Sequence, residues 1–199
     1  MTDCHSHLLP GVDDGVRTAE ESLRILEEME RQGIRKLWLT PHIMEDIPNT
    51  TDALKTRFRT LCESYRGNIR LELAAEYMLD NLFVRRLEAD DILPLHEEKR
   101  YLLVETSYFN PPMRLLSMLK HIQEKGYHPL LAHPERYEYM QMADYKALQQ
   151  AGVAFQLNNL RWQACMVSMC RKKQKLYKRQ ACMLCMVTTL IRWFSFRIY

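Results

Sequence analysis

The chain has 199 residues, a mass of 23.8 kDa and 47% hydrophobic residues, which suits one globular, enzyme-sized domain with a large core. No N-terminal segment has the basic start and apolar middle of a signal peptide, and no apolar run approaches the ~20 residues that span a bilayer. These features argue against a secreted or membrane-spanning protein. We therefore expect a cytoplasmic location and free thiols for the six cysteines. The net charge of +3 is small but unevenly distributed along the chain.

The first predicted helix opens at a capping box that runs from Thr18 to Glu21. Leu23 and Leu26 lie on successive turns, and Gly33 supplies the left-handed residue that commonly ends a helix. A strand should follow this helix, because the next residues form an apolar run that stops at a proline.

Strands and helices then alternate up to residue 158. Apolar runs that stop at a polar residue predict strands, and amphipathic runs that end near glycine predict helices. The predicted strands cover residues 36–40, 69–75, 101–104, 129–132 and 153–157, and the predicted helices cover about 52–67, 112–125 and 144–151. This alternation with short connections favours a parallel β/α architecture, either a barrel or an open sheet.

Residue types that bind metals stand at the ends of these strands, where a β/α barrel carries its active site. His5 and His7 are two residues apart on an extended segment, so both imidazoles should lie on one face. The other candidate ligands are His42, Glu76, Glu105 and His133. One such histidine alone is as readily a hydrogen-bonded structural residue. The whole set suits Mn, Fe or Zn, and a bridging carboxylate could place two ions to activate a water.

Two further side chains are expected near the same strand ends. Arg136 follows His133 by three residues, and its guanidinium could bind a phosphate group; the alternative is an ion pair with Glu135 or Glu138. Asp14 lies in a segment flanked by glycines that can form a tight turn. Its carboxylate is nevertheless well placed to join the metal cluster or to orient a water.

The composition changes abruptly near residue 159. All 25 Asp and Glu residues precede this point, whereas the last 41 residues contain nine Lys or Arg, four of the six Cys, and no Gly or His. We divide the chain accordingly into residues 1–158 and an atypical basic, cysteine-rich tail, residues 159–199. The interpretation that we favour is a reading-frame shift in the gene or its assembly, which makes the tail the frame-shifted remainder of the same domain.

The tail has two other interpretations. A basic segment can bind nucleic acid or an acidic membrane surface. Cys165, Cys170, Cys182 and Cys185 could instead bind zinc, since Cys182 and Cys185 have a usable spacing, although no glycine-bearing knuckle accompanies the pairs. For suitable codons, however, residues 185–191 read one base out of frame permit Tyr-Gly-x-Asp-x-His, which contains a plausible missing pair of ligands. We therefore expect no nucleic-acid partner.

Five segments together resemble one family, the bacterial manganese-dependent protein-tyrosine phosphatases of the polymerase and histidinol phosphatase (PHP) superfamily. The segments are His-Ser-His-Leu-Leu-Pro-Gly-Val-Asp-Asp-Gly at 5–15, Thr-Pro-His at 40–42, Ala-Glu at 75–76, Leu-Val-Glu-Thr-Ser-Tyr at 103–108 and Ala-His-Pro-Glu-Arg-Tyr at 132–137. The resemblance covers residues 1–158 in order. It implies a distorted TIM-like (β/α)7 PHP barrel, incomplete or irregular at the C-terminus.

The resemblance also implies an activity. Members of the family dephosphorylate tyrosines on kinases that control capsular or exopolysaccharide synthesis, using a metal-activated water and no cysteine phosphoenzyme. It assigns catalytic roles to Arg136, as the phosphate binder, and to Asp14. It implies two or three Mn²⁺ ions, with Fe or Zn as alternatives, and the metal positions that it implies are His5, His7, Asp14, His42, Glu76, Glu105 and His133.

One family motif is absent from this chain. The family has an Asp-x-His followed by an Arg near its last strands, and the tail contains neither Asp nor His. We therefore expect poor activity from the chain as written and activity from a frame-corrected version. The alternatives are another PHP phosphoesterase, such as a histidinol phosphatase, and a non-catalytic remnant that binds metal.

Overall fold

The computed structural model describes residues 1–96 and 100–156. Within these residues the chain forms eight strands and five α-helices. The strands are β1 (Thr2–Asp3), β2 (Lys36–Leu39), β3 (His42–Ile43), β4 (Arg70–Leu73), β5 (Glu76–Met78), β6 (Tyr101–Glu105), β7 (His128–Ala132) and β8 (Ala154–Gln156). The helices are α1 (Ala19–Arg31), α2 (Thr51–Ser64), α3 (Asn81–Glu88), α4 (Leu115–Glu124) and α5 (Met142–Gln150).

All strand pairs between these elements are parallel, and they form two sheets, ordered β1-β2-β4 and β3-β5-β6-β7-β8. The predicted parallel α/β class is therefore confirmed, while the described residues contain no closed sheet. The two sheets follow one another along the chain, because β2 leads into β3 and β4 leads into β5 after breaks of two residues. Backbone hydrogen bonds continue through both breaks, from Ala74 N–H to Leu39 O and from Glu76 N–H to Pro41 O.

The predicted strands agree with the observed ones except at two places. His42 was expected at the end of the strand over residues 36–40, but that strand ends at Leu39 and His42 begins the separate strand β3. The single strand expected over residues 69–75 is wrong, since the chain forms β4 and then β5, and Glu76 starts the second strand instead of following the first. At Ala75 the backbone N–H turns away from the ladder and donates to Leu93 O, which explains the interruption. Because of this break, the candidate ligand Glu76 lies within the ladder of paired strands and not beyond its end.

The helices show further differences from the prediction. Helix α1 starts as predicted, with Thr18 Oγ1 accepting from the Glu21 N–H, but α2 starts one residue earlier than expected because Thr50 caps it. Helix α4 is shorter than the predicted 112–125, since Arg114 before it adopts a left-handed conformation with φ of 70°. Helix α3 was not predicted from the sequence; Asp80 caps it by accepting from the Phe83 N–H.

Both faces of the sheets are covered, as is usual for parallel strands. On one face, Leu37, Leu39, Leu102 and Val104 pack with the helices in the main core. The alternate positions face a smaller second cluster, which contains Cys4, Trp38, Ala74, Leu95, Leu103, Leu130 and Ala132. The alternation along each strand thus separates a core under the helices from an inner core between the strands.

Two of the six cysteines lie in the described part of the chain. Within the described residues, Cys4 is buried and Cys62 is half-buried, and no disulfide joins them. Among the described helices, none combines the length and apolar character that a membrane crossing requires. The predictions for the tail, including its four cysteines, lie outside the described residues.

Candidate metal centre

The candidate ligands meet at one end of the strands. His5 and His7 follow β1, His42 and Glu76 begin β3 and β5, Glu105 ends β6, and His133 comes directly after β7. These positions are at the carboxyl ends of the strands or just past the two interruptions. Because every pair is parallel, side chains far apart in sequence reach one volume.

Glu76 occupies the centre of this volume, with only 1% of its side chain exposed. Its Oε2 lies 3.1 Å from His5 Nε2, 3.3 Å from His7 Nε2 and 3.4 Å from His42 Nδ1. Its Oε1 lies 2.9 Å from His133 Nε2. One buried carboxylate therefore faces four imidazoles.

Glu105 and Asp14 contact the same group of histidines from two sides. Glu105 is buried and lies 3.0 Å from His42 Nδ1 and 3.5 Å from His133 Nε2. Asp14 Oδ1 is 3.6 Å from His42 Nε2, but 70% of the Asp14 side chain is exposed. The structure thus brings His5, His7, His42, Glu76, Glu105 and His133 into one cluster and places Asp14 at its open rim.

Arg136 lies next to this cluster without joining it. It donates from Nη1 to the Tyr108 hydroxyl, 2.9 Å away, and its guanidinium carbon lies 5.6 Å from the centre of the Tyr108 ring. The Tyr108 ring in turn packs edge-on against His133, with ring centres 5.6 Å apart. Tyr108, which was not singled out from the sequence, is therefore the direct partner of Arg136.

The pKa values in the cluster show strong coupling between its charges. Burial disfavours a charge on Glu76, but the surrounding imidazoles, His5 first among them, hold its pKa well below the usual range. Burial also opposes protonation of His7, yet hydrogen bonds to Asp13 and Glu76 raise its pKa to about 10. For His133 burial dominates and lowers the pKa. The buried carboxylates and imidazoles of the cluster therefore stabilise one another only when protons or a cation lie between their facing atoms.

The donor set fits a divalent metal. Three groups of side chains each offer ligand atoms within 4.8 Å of one another, namely His5, His7 and Glu76; His7, Asp14 and His42; and His42, Glu76 and Glu105. His5 Nε2 and His7 Nε2 are only 3.1 Å apart, and both face Glu76 Oε2. A cation among these atoms would satisfy lone pairs that otherwise require protons. Mixed imidazole and carboxylate ligation suits Mn, Fe or Zn.

Two residues behind the cluster were not predicted as part of it. Asp13 Oδ2 lies 2.8 Å from His7 Nδ1, and Gln156 Oε1 lies 2.8 Å from His5 Nδ1. The sequence signal for Asp13 was its place in the turn with Asp14. Gln156 stands 151 residues from His5, and no local pattern links the two.

The described residues thus combine a parallel β/α fold with a buried cluster of histidines and carboxylates at the strand ends, which is a candidate metal centre. The chain belongs to the family described as "Capsular polysaccharide synthesis, CpsB/CapC", whose model matches residues 1–184. This match confirms the family resemblance drawn from the motifs of the sequence.

Individual relatives are similar over part of their length. The tyrosine-protein phosphatase CpsB of Streptococcus pneumoniae is 33% identical over 144 residues, which cover 69% of this chain and 58% of that protein. The tyrosine-protein phosphatase YwqE of Bacillus subtilis is 29% identical over 143 residues, which cover 68% of this chain and 55% of that protein. The chain thus spans little more than half the length of these relatives.

A solved structure supports the fold. It comes from work on YwqE from Bacillus subtilis and CpsB from Streptococcus pneumoniae, described as metal-dependent tyrosine phosphatases. The two chains superpose with a TM-score of 0.76 at 23% identity, over 89% of this chain and 74% of the other. At this identity the likeness establishes the fold.

Proposed function

We propose that this chain is a metal-dependent phosphatase that hydrolyses phosphotyrosine in proteins. The observation that carries the proposal is the convergence of four histidines and two glutamates on one buried volume, with Arg136 beside it. The names of the relatives, which are tyrosine-protein phosphatases, agree with this chemistry.

The residues proposed to hold the metal are His5, His7, Asp14, His42, Glu76, Glu105 and His133. Bound divalent cations supply Lewis acidity, which lowers the pKa of a water and stabilises charge on phosphoryl oxygens. We propose Mn²⁺ as the ion, in two or three positions, with Fe or Zn as alternatives that suit the same donors. The exposed position of Asp14 suits a residue that meets solvent and orients a water.

Arg136 is proposed to bind the phosphate group. Arg136 stays protonated, because contact with Tyr108 and nearby acidic groups raises the pKa of its guanidinium in spite of burial. A guanidinium can donate two parallel hydrogen bonds to phosphate oxygens and stabilise the charge that develops during hydrolysis. The Tyr108 hydroxyl accepts from one nitrogen and so limits the directions in which the guanidinium can turn.

We further propose that the two sheets are parts of one distorted (β/α)7 barrel of the PHP type. Joining β2 to β3 and β4 to β5 across their breaks gives six consecutive parallel positions. The inner core of Cys4, Trp38, Leu103 and Leu130 lies on the strand faces away from the helices, as in a barrel interior. The contact between His5 and Gln156 joins the first position to the last one described.

The domain boundary and the partner are also proposals. Residues 1–158 would form the phosphoesterase domain, and the tail, residues 159–199, would be its frame-shifted remainder. The substrate proposed is a phosphotyrosine protein, a bacterial tyrosine kinase that regulates capsule or exopolysaccharide synthesis. The family description, which names capsular polysaccharide synthesis, supports this choice.

The test is release of phosphate from phosphotyrosine peptides with and without Mn²⁺, using both the chain as written and a version whose gene is corrected by one base between codons 155 and 195. We expect weak turnover by the first and strong Mn²⁺-dependent turnover by the second. Histidinol phosphate serves as the competing substrate. No phosphotyrosine hydrolysis by either version, or a preference for histidinol phosphate, would contradict the proposal.

A non-catalytic metal-binding remnant is the second candidate. The observation that favours it is the absence of Asp and His from residues 159–199, the segment in which the family resemblance places an Asp-x-His pair. Tight Mn²⁺ binding with no turnover, even after correction of the frame, would identify this case.

A further inference from the structure

Asp13 and Asp14 are neighbours in one turn but have different surroundings. The Asp14 side chain is 70% exposed at the rim, whereas the Asp13 side chain is completely buried behind His7. The Asp13 carboxylate faces His7 on the side away from Glu76. It therefore does not reach into the cluster, and a ligand role does not explain its burial.

Three hydrogen bonds hold the Asp13 carboxylate in place. Oδ2 accepts from His7 Nδ1 at 2.8 Å and from the backbone N–H of His42 at 3.1 Å, and Oδ1 accepts from the backbone N–H of Gly15 at 3.0 Å. A carboxylate can only accept, so Nδ1 of His7 must carry a proton.

This arrangement determines what His7 offers to a cation. With Nδ1 committed to Asp13, Nε2 is the nitrogen that faces the cluster, 3.1 Å from His5 Nε2 and 3.3 Å from Glu76 Oε2, and a cation that replaces the Nε2 proton would bind its lone pair. A carboxylate behind an imidazole also makes the imidazole a more basic ligand. Asp13 simultaneously ties His7 to His42, because one oxygen accepts from both residues.

The turn is shaped to permit this contact. A Cβ added at Gly15 would lie 2.2 Å from the backbone oxygen of His7, 2.6 Å from its Cβ and 2.9 Å from Asp13 Oδ1. Glycine at this position therefore lets the turn fold directly against His7. The close approach is a second observation, independent of the hydrogen bonds, that connects the turn with the ligand.

We propose that Asp13 is a positioning residue of the metal centre, which fixes His7 with Nε2 directed at the cluster and ties it to His42 at the start of β3. The inference rests on the metal centre proposed above. Asp13 acts through His7 and does not itself contact the ion. Its effect should therefore appear in metal affinity and should disappear when the His7 imidazole is removed.

The experiment is a Mn²⁺ titration followed by electron paramagnetic resonance on the full chain. Asp13→Asn should weaken the tightest site by about 10- to 100-fold, the usual cost of losing a partner behind a metal-binding histidine. Asp46→Asn, which changes an exposed acid outside the cluster, should bind as the unmodified chain does. In a His7→Gln background, Asp13→Asn should cause no further loss, as a double-mutant cycle requires for coupled residues.

Equal affinity in Asp13→Asn and Asp46→Asn would overturn the inference, and so would an undiminished loss in the His7→Gln background. A second measurement needs no variant and remains valid if Asp13→Asn fails to fold. In the unmodified chain loaded with Zn²⁺, ¹⁵N spectra should show His7 bound through Nε2 with a downfield proton on Nδ1; binding through Nδ1 would overturn the inference. Normal Mn²⁺ binding without phosphatase activity would contradict only the proposed function, whereas no Mn²⁺ binding would overturn both.

Discussion

Glu76 is the residue on which the cluster depends most, because its two oxygens face all four imidazoles. We expect Glu76→Gln to lower Mn²⁺ affinity by more than the ~10- to 100-fold loss seen for partners behind a ligand, since an amide cannot supply the negative charge. Isothermal titration calorimetry would measure this loss. Glu72→Gln is the matched control, because Glu72 pairs on β4 with Lys36 and Arg70, away from the cluster. Equal affinities in the two variants would contradict a central role for Glu76.

Tyr108 offers a test of phosphate binding at the same scale. Tyr108→Phe keeps the ring but removes the acceptor for Arg136, so the guanidinium is less restricted. We expect the affinity of the Mn²⁺-loaded chain for inorganic phosphate to fall about tenfold, the effect of one hydrogen bond to a charged group. Calorimetry on Tyr139→Phe provides the control, because that hydroxyl bonds to Thr106. If both variants bind phosphate equally well, Tyr108 does not position Arg136.

At the scale of elements, α3 and α4 are joined by one exposed cluster of charges. Glu88 on α3 lies 2.5 Å from His121 Nε2 and 2.6 Å from Lys125 Nζ. Hydrogen bonds from Lys125 and His121 lower the pKa of Glu88, and hydrogen bonds to Glu88 and Glu124 raise the pKa of His121. The two shifts have opposite consequences for stability as pH changes.

The stabilisation from Glu88 is present above its unfolded pKa of about 4.3 and is lost as pH falls through the lower folded value. The stabilisation from His121 is present below its unfolded pKa of about 6.5 and is lost as pH rises through the higher folded value. Urea unfolding should therefore show the greatest difference between the unmodified chain and Glu88→Gln near pH 5.5, with smaller differences at pH 3 and pH 9. Because the pair is exposed, the difference should be small and should decrease with salt.

Glu63→Gln on α2 is the control for this pH dependence, because it changes an exposed glutamate on another helix. Its effect should stay constant between pH 5.5 and pH 9. A constant effect of Glu88→Gln over the same interval would show that the contact with His121 contributes nothing to stability, because the contact with Lys125 does not change between these pH values.

The elements also show where local patterns were sufficient. Strands such as β6 and β7 were predicted because apolar runs stop at Glu105 and His133, and α1 because Thr18 caps an amphipathic run. Helix α3 has only eight residues, too few for a clear amphipathic period, although Asp80 before it is a common capping residue. The break between β4 and β5 depends on a hydrogen bond from Ala75 to Leu93, which local sequence does not reveal.

For the whole molecule, metal binding and stability should be linked, because the cluster connects residues from five strands or their ends. Mn²⁺ at about 100 times its dissociation constant would stabilise the folded chain by about 2.7 kcal/mol. For a chain of this size, that corresponds to a rise in Tm of about 5–10 °C. Differential scanning calorimetry with Mn²⁺, and again after EDTA, would measure the rise and its reversal. An unchanged Tm in saturating Mn²⁺ would argue against a metal centre.

Most of the candidate site could be predicted from the sequence, because its members stand where apolar runs end and parallel strands bring such ends together. The residues that contact the ligands from behind, Asp13 and Gln156, could not be predicted in this way. Nothing in the local sequence distinguishes Asp13 from Asp14, since their roles depend on how the turn folds against His7. Gln156 reaches His5 only through the stacking of all the intervening strands.

The registers of the strands have a consequence for how the molecule is made. Each strand pairs with one synthesised shortly before it, as in Thr2 with Lys36, Lys36 with Arg70, and Leu130 with Ala154. A chain emerging from the ribosome can therefore add strands one at a time, without waiting for a distant partner. By the time Glu105 emerges, only His133 of the six clustered side chains remains to be made, so the candidate metal centre can be nearly assembled while translation continues.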